Sequence, residues 1–316
     1  MQGRTQRGQV QNLFDWSQRE LLILAFDHRS SFKKKLFGIE NRQPTSKEKK
    51  QIEDYKKIVF DGFTLALEKN VPKEIAGLLV DEECGAGILR EAKNRSLTFA
   101  MPVEKSGQNE FDFEYGDNFQ KHIEEFDPTF AKVLVRYNPA SDLNLNQRQL
   151  NKLRVLSEYL QKTKKPFLFE LIVPATPKQL SEVGGSKEVY DEVLRPRLMV
   201  ESMKAIQDAG VEPVVWKLEG VHNSESAKAV VEQAWKDGRK TGVITLGRGA
   251  SKEQVQKWLR VGAKTPGIIG FAVGRTIFWQ PLVEYKTGKI SREEAIEGIA
   301  QNYSDFADLW LNERER

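Results

Sequence analysis

The sequence predicts an α/β protein folded as a single (β/α)8 TIM barrel, on three observations. Eight short apolar runs recur along the 316 residues, at 21–26, 76–80, 97–103, 131–135, 167–173, 213–218, 243–246 and 268–273. They are apolar on both faces, which suits parallel strands covered by helices and not the alternation of a half-exposed sheet. Helical patterns with their own start signals lie between them. No Gly-x-Gly-x-x-Gly follows the first run, so the alternation points to a closed barrel over an open dinucleotide-binding sheet.

The helices follow from local chemistry. Thr45 with Glu48, Ser251 with Gln254 and Ser291 with Glu294 have the capping-box form, in which cap and third residue satisfy each other's free amides. The first opens a helix reaching about Glu68, and the last a long tail helix over 291–312 that covers the barrel or builds an interface. Residues 150–162, 197–208 and 224–236 carry helical spacing, and Ala209-Gly210 reads as a stop. The segment between the second and third runs is short, so its helix is expected to be weak. Gln108-Asn109 and Gly184-Gly185 read as surface loops. Trp235, Trp258, Trp310 and Trp16 suit core or helix packing. The barrel is assigned to 21–316 and a polar extension to 1–20, a length this architecture routinely reaches as one domain.

Composition narrows the function. The 49 basic and 45 acidic residues nearly cancel, leaving a net charge of +4. The densest basic runs, Lys33-Lys34-Lys35 and 47–50, read as solvated helix faces, which argues against nucleic acid as a partner. Cys84 is the only cysteine, so no intrachain disulfide forms, and a reducing, cytoplasmic setting is expected. No apolar stretch is long enough to span a bilayer, and residues 1–10 are polar. His28, His122 and His222 are not at metal-ligand spacing, so no metal or cofactor is expected. Cys84 also lacks a histidine at a recognisable partner position, and packing near the second strand is its expected role.

Chemistry in a barrel collects at the C-terminal strand ends, and charge gathers there. The first strand ends in Asp27-His28-Arg29, the second in Asp81-Glu82-Glu83, and the third runs into Glu104-Lys105-Ser106-Gly107. The fourth carries Lys132 and Arg136, the fifth Glu170, and the sixth Lys217 and Glu219. The two-residue period of a strand aligns Lys132 with Leu134 and Arg136, Leu168 with Glu170 and Ile172, and Val215 with Lys217 and Glu219. Trp216 falls on the opposite face, toward the helices. If the charged faces point inward, charges of both signs converge in a space of low dielectric. A structural ion-pair layer accounts for some members, Lys132 and Glu219 above all. A cluster this large points to a site, because buried charges are costly to keep for stability alone.

An amine desolvated among other cations is readily neutralised and attacks carbonyls. The iminium formed is an electron sink that favours cleavage of a neighbouring carbon–carbon bond. Lys217 is the candidate for that amine, Glu170 for proton transfer, and Asp27 for removing the hydroxyl proton. After the seventh strand, Gly247-Arg248-Gly249 opens a helix, and Gly274-Arg275 does so after the eighth. Glycines let backbone amides approach an anion, and each arginine is a candidate phosphate clamp.

These residues resemble the class I aldolase superfamily. Leu24-Ala25-Phe26-Asp27 is similar to its first-strand motif, 246–251 and Gly274-Arg275 to its phosphate-binding turns, and Glu170 and Lys217 stand in its order. Asp27-His28-Arg29, Val80-Asp81-Glu82, Glu104-Lys105-Ser106-Gly107 and Lys217 also resemble bacterial tagatose-1,6-bisphosphate aldolases. From about Leu21 to Trp310 the chain most resembles a bacterial domain often fused behind 5-dehydro-2-deoxygluconokinase. Val80-Asp81-Glu82-Glu83-Cys84-Gly85, 101–107, 169–174 and 271–279 carry that likeness.

The resemblance implies cleavage of 2-deoxy-5-keto-gluconate 6-phosphate, from myo-inositol breakdown, to dihydroxyacetone phosphate and malonate semialdehyde. It implies a Schiff base on Lys217, with Glu170 and Asp27 catalytic. His28, Arg29, Asp81, Glu104, Lys105, Lys132 and Arg136 would contact substrate, and Gly247, Arg248, Gly249, Gly274 and Arg275 phosphate. The superfamily has a lysine on the fourth strand. Here the chain offers Lys132 early and Arg136 late, nearer the expected active end; the choice between them stays open, and with Arg136 in that role Lys132 is structural. Rival functions on the same site are a transaldolase or isomerase, and a sugar-phosphate sensor without turnover. The expected partner is a small phosphorylated sugar, with a homo-oligomer open.

Overall fold

The computed structural model describes residues 18–315. Eight parallel strands, each hydrogen-bonded to the next, close as β1 to β8 with β8 against β1. They are β1 (Leu21–Ala25), β2 (Ala76–Leu79), β3 (Thr98–Pro102), β4 (Phe130–Arg136), β5 (Phe167–Ile172), β6 (Val215–Glu219), β7 (Gly242–Leu246) and β8 (Ile268–Val273). The expected (β/α)8 barrel is the observed fold.

Helices α1 (Ser46–Lys69), α2 (Glu82–Asn94), α3 (Phe119–Phe126) and α4 (Leu143–Thr163) follow the first four strands. After β5 come α5 (Pro177–Glu182), α6 (Lys187–Val189), a π-helical turn over Tyr190–Leu194 and α7 (Arg195–Asp208). Helices α8 (Ser224–Ala234), α9 (Lys252–Ala263), α10 (Arg275–Lys286) and α11 (Arg292–Arg314) complete the ring. Capping boxes close at Thr45 and Ser291 as their sequences require. At Ser251 the hydroxyl accepts the Gln254 amide, half of the box.

Helix α2 is not weak. It runs for 13 residues because Asp81, two positions past the end of β2, accepts the Cys84 amide as N-cap. Helix α11 lies against α1, α9 and α10, and its Tyr303 hydroxyl donates to the Leu22 carbonyl at 2.7 Å. It therefore covers the barrel.

The core has two parts. The larger lies between strands and helices and holds Trp216, Trp258 and Trp310, all buried, with Trp235 partly buried against it. Trp16 and nearly all of the 1–20 extension fall outside the described residues. The smaller part is the barrel interior, with Leu21, Ile23, Leu79, Phe130, Leu168, Val215, Ile244 and Ile269. It seals the floor beneath the charged residues two positions further along β4, β5 and β6. No helix among the described residues is long and apolar enough to cross a membrane.

Candidate active site

Strand register sets the geometry. Leu134 pairs with Glu170 and Glu170 with Lys217, so these three stand at one level. Lys132 starts one inward position lower, and its four-carbon stem lifts the ammonium to the carboxylates. Its Nζ lies 2.9 Å from Asp27, 2.8 Å from Glu104 and 2.9 Å from Glu170. Glu170 is shared, with Lys217 Nζ 3.0 Å away. Lys132, Lys217, Glu104 and Glu170 are all buried. Three carboxylates thus meet around the Lys132 ammonium. Among the described residues no His, Cys, Asp and Glu grouping is arranged to hold a metal.

Of the two fourth-strand cations left open, Lys132 is the one that reaches the carboxylates. Arg136 stands at the rim and donates to the Gln108 carbonyl at 2.8 Å. Position along the strand does not decide between them, because a lysine stem spans the step between two inward positions.

Three carboxylates face two ammonium groups, and their proton affinities divide accordingly. Burial pushes the Asp27 carboxyl up, but Lys132, then Lys217 and His28, more than reverse this and hold it well below the usual range. In Glu170 burial is likewise outweighed by Lys132 and Lys217, and the carboxyl is lowered. In Glu104 burial wins over Lys132 and Arg29, and the carboxyl is raised. Glu104 is the member that most readily holds a proton. Lys132 is raised well above a free lysine: burial opposes its charge, and Asp27, Glu104 and Glu170 favour it more strongly. Burial lowers His28 to about 4, with Asp27 opposing and Arg275 assisting, so its imidazole is neutral at ordinary pH.

These side chains line a cavity of about 350 Å³ at the C-terminal mouth of the barrel. Its wall includes Asp27, His28, Arg29, Glu104, Lys105, Lys132, Arg136, Glu170 and Lys217, with Gly247, Arg248, Gly249, Gly274 and Arg275 along one side. Every expected site residue except Asp81 is thus brought together. Asp81 is turned away as the α2 cap, where it also receives the ammonium of Lys56. Gln108 and Asn109, expected in a surface loop, line the cavity. An isolated bridge from Glu104 to Phe113 folds their segment back over the mouth. Spacing along one strand carries no trace of that contact.

On the β7–β8 side the two arginines differ. The Arg248 guanidinium is taken by Asp191 and by Glu219, the latter at 3.1 Å. Glu219 also meets Arg195 at 3.5 Å and accepts the Val173 amide at 3.0 Å. Glu219 is the structural ion-pair partner anticipated, and Arg248 is not the free clamp expected. Arg275 has no acidic partner among the described residues and donates to the Arg248 carbonyl at 3.1 Å. It packs on Gly249, where φ is +71° and a Cβ would run into the guanidinium. Gly274 passes so close to the Ala25 carbonyl that a side chain would collide there. No side chain caps α10, leaving its first amides open beside Arg275. Open amides, positive helix potential and an unpaired arginine are the chemistry that suits an anion.

Elsewhere, Arg29 is held by Glu114 and the Glu104 carbonyl, both at 2.6 Å. Lys105 pairs with Asp112 at 3.0 Å. Cys84 is buried, and burial pushes its thiol up to about 12, which is no setting for a nucleophile.

Fold and site define a (β/α)8 barrel with a buried lysine–carboxylate cluster beneath a rim that carries Arg275 and the uncapped start of α10. The sequence matches, over residues 10–314, the family described as "Uncharacterized protein conserved in bacteria (DUF2090)", and the chain belongs to that family. No curated protein matches it. The fructose-bisphosphate aldolase of Plasmodium falciparum, solved in a ternary co-crystal with TRAP and a small-molecule inhibitor, has a similar structure. The TM-score is 0.63 at 16% identity, covering 94% of this chain and 92% of that one, a likeness of fold.

Proposed function

We propose that this protein is a metal-independent class I aldolase that cleaves a phosphorylated keto sugar through a Schiff base on Lys217. The observation that carries this is a buried lysine amine 3.0 Å from a carboxylate, at the base of a cavity with Arg275 and the uncapped start of α10 on its rim. The solved aldolase of similar fold, although distant in sequence, is consistent with it.

In this mechanism the Lys217 amine, in its neutral form, adds to the substrate ketone and water leaves, giving an iminium. Glu170, within hydrogen-bond reach, moves the protons of addition and dehydration. Asp27, held ionised by Lys132, accepts the proton of the hydroxyl on the far carbon of the bond to be broken. That oxygen becomes an aldehyde, and the bonding pair passes to the iminium as an enamine. Protonation of the enamine and addition of water then release the second product. Lys132 steadies the three carboxylates throughout. Phosphate rests at Gly247, Gly249, Gly274 and Arg275, with Arg248 bracing the turn. The substrate proposed is 2-deoxy-5-keto-gluconate 6-phosphate, giving dihydroxyacetone phosphate and malonate semialdehyde in the cytoplasm.

Product analysis tests this. Incubation with that keto acid phosphate is expected to yield a free three-carbon ketose phosphate. A rearranged or exchanged carbon skeleton would instead indicate an isomerase or transaldolase. Stabilisation by the ligand without turnover would indicate a sensor.

A further inference from the structure

Seven lysines and arginines line the cavity, and two of them lack an acidic partner among the described residues. Lys132 and Lys217 share the three carboxylates, and Arg29, Lys105 and Arg248 are neutralised from outside. The two left over are Arg275 and Arg136. An arginine stays charged, so each of these keeps an unmatched positive charge facing the cavity. They also stand apart in a defined way. In the closed order β1 to β8, Arg136 ends β4 and Arg275 follows β8, on opposite sides of the barrel. Lys217, on β6, stands midway between them.

The two ends have different chemistry. Arg275 sits with an uncapped helix N-terminus and glycine turns, a cradle for a tetrahedral anion. At the β4 end the following helix offers no such amides. Asp142 caps α4 with its own carboxylate, accepting the Asn144 and Leu145 amides. What remains is one planar guanidinium, braced by the Gln108 carbonyl through Nη1. A single fork of N–H donors matches a carboxylate.

We propose that Arg136 is a specificity-determining residue that binds a carboxylate at the end of the substrate remote from its phosphate. The ligand is then doubly anionic, with phosphate at Arg275, carboxylate at Arg136 and the reacting carbonyl between them at Lys217. This rests on the cavity being the sugar-phosphate site proposed above. It gives the acidic half of the keto acid phosphate a residue of its own.

Unreactive six-carbon probes test this without turnover. Calorimetry would compare gluconate 6-phosphate, glucitol 6-phosphate and glucitol 1,6-bisphosphate on the wild type, Arg136→Met and Arg136→Lys. Wild type is expected to prefer gluconate 6-phosphate over glucitol 6-phosphate by roughly tenfold or more, the scale of a charged hydrogen bond. Arg136→Met should erase that preference while leaving glucitol 6-phosphate affinity unchanged, and Arg136→Lys should restore part of it. Equal affinities in the wild type, or a preference surviving Arg136→Met, would overturn the proposal. Tighter binding of the bisphosphate would replace the carboxylate by a phosphate. Because none of these probes has a ketone or aldehyde, failure of the Schiff-base mechanism would leave these outcomes readable.

Discussion

Two buried lysines in this molecule make carboxylate contacts of similar kind and serve opposite ends. Lys56, on α1, is fully buried behind β2 and donates to Asp81 and to the Phe26 carbonyl, the latter at 2.9 Å. Asp81 gives its other oxygen to the Cys84 amide. One ammonium meets one carboxylate, the remaining positions are filled by backbone, and neither residue reaches the cavity. Lys132 is as deeply buried but stands among three carboxylates, opens onto the cavity, and shares one of them with a second lysine. Burial of charge is common to both. What separates them is unequal charge count and access to open space.

Substitutions can break or sharpen this contrast, beginning with the largest effect. Glu170→Gln removes the proposed proton carrier beside Lys217 and should cost ~10²–10⁴-fold in turnover, the usual range for general acid–base groups. Circular dichroism and melting should show the fold intact; a variant retaining full activity would remove Glu170 from the mechanism. Lys56→Met leaves Asp81 buried and unpaired, so a stability loss of ~3–5 kcal/mol is expected in denaturant unfolding. Activity per folded molecule should not change. An unfolding midpoint equal to wild type would show that the sealed pair is not structural.

The carboxylates around Lys132 should also separate. Asp27→Asn removes an ionised base and Glu104→Gln mimics a group inclined to hold its proton. Turnover should fall further in the first, and equal losses would contradict the division. The smallest effect concerns His28. The unfolded chain takes up a proton there near pH 6.5, the folded chain only near 4. Falling pH across that window therefore favours the unfolded state, and the stability conferred by a neutral His28 is fully present only above it. His28→Asn should flatten that part of the stability–pH curve, and an unchanged slope would show that His28 is not its source.

The strand faces were legible because a two-residue period needs no partner. Lys132, Glu170 and Lys217 point inward as their spacing requires, and Trp216 outward. The same logic failed at Asp81, because β2 ends at Leu79 and the chain turns into a helix cap. It could not show that Asp191 and Glu219 would occupy Arg248, since these partners come from separate elements. Nor could it show Gln108 folded back over the mouth. Local periodicity placed the charged layer, while long-range pairing decided which cations stay without an acidic partner.

Reductive trapping tests the central claim most directly. Borohydride is added to the protein with dihydroxyacetone phosphate, followed by intact mass and peptide mapping. A single stable adduct on Lys217, absent in Lys217→Ala, is the predicted result. No adduct, or one that persists in Lys217→Ala, would contradict the assignment of Lys217 as the Schiff-base residue.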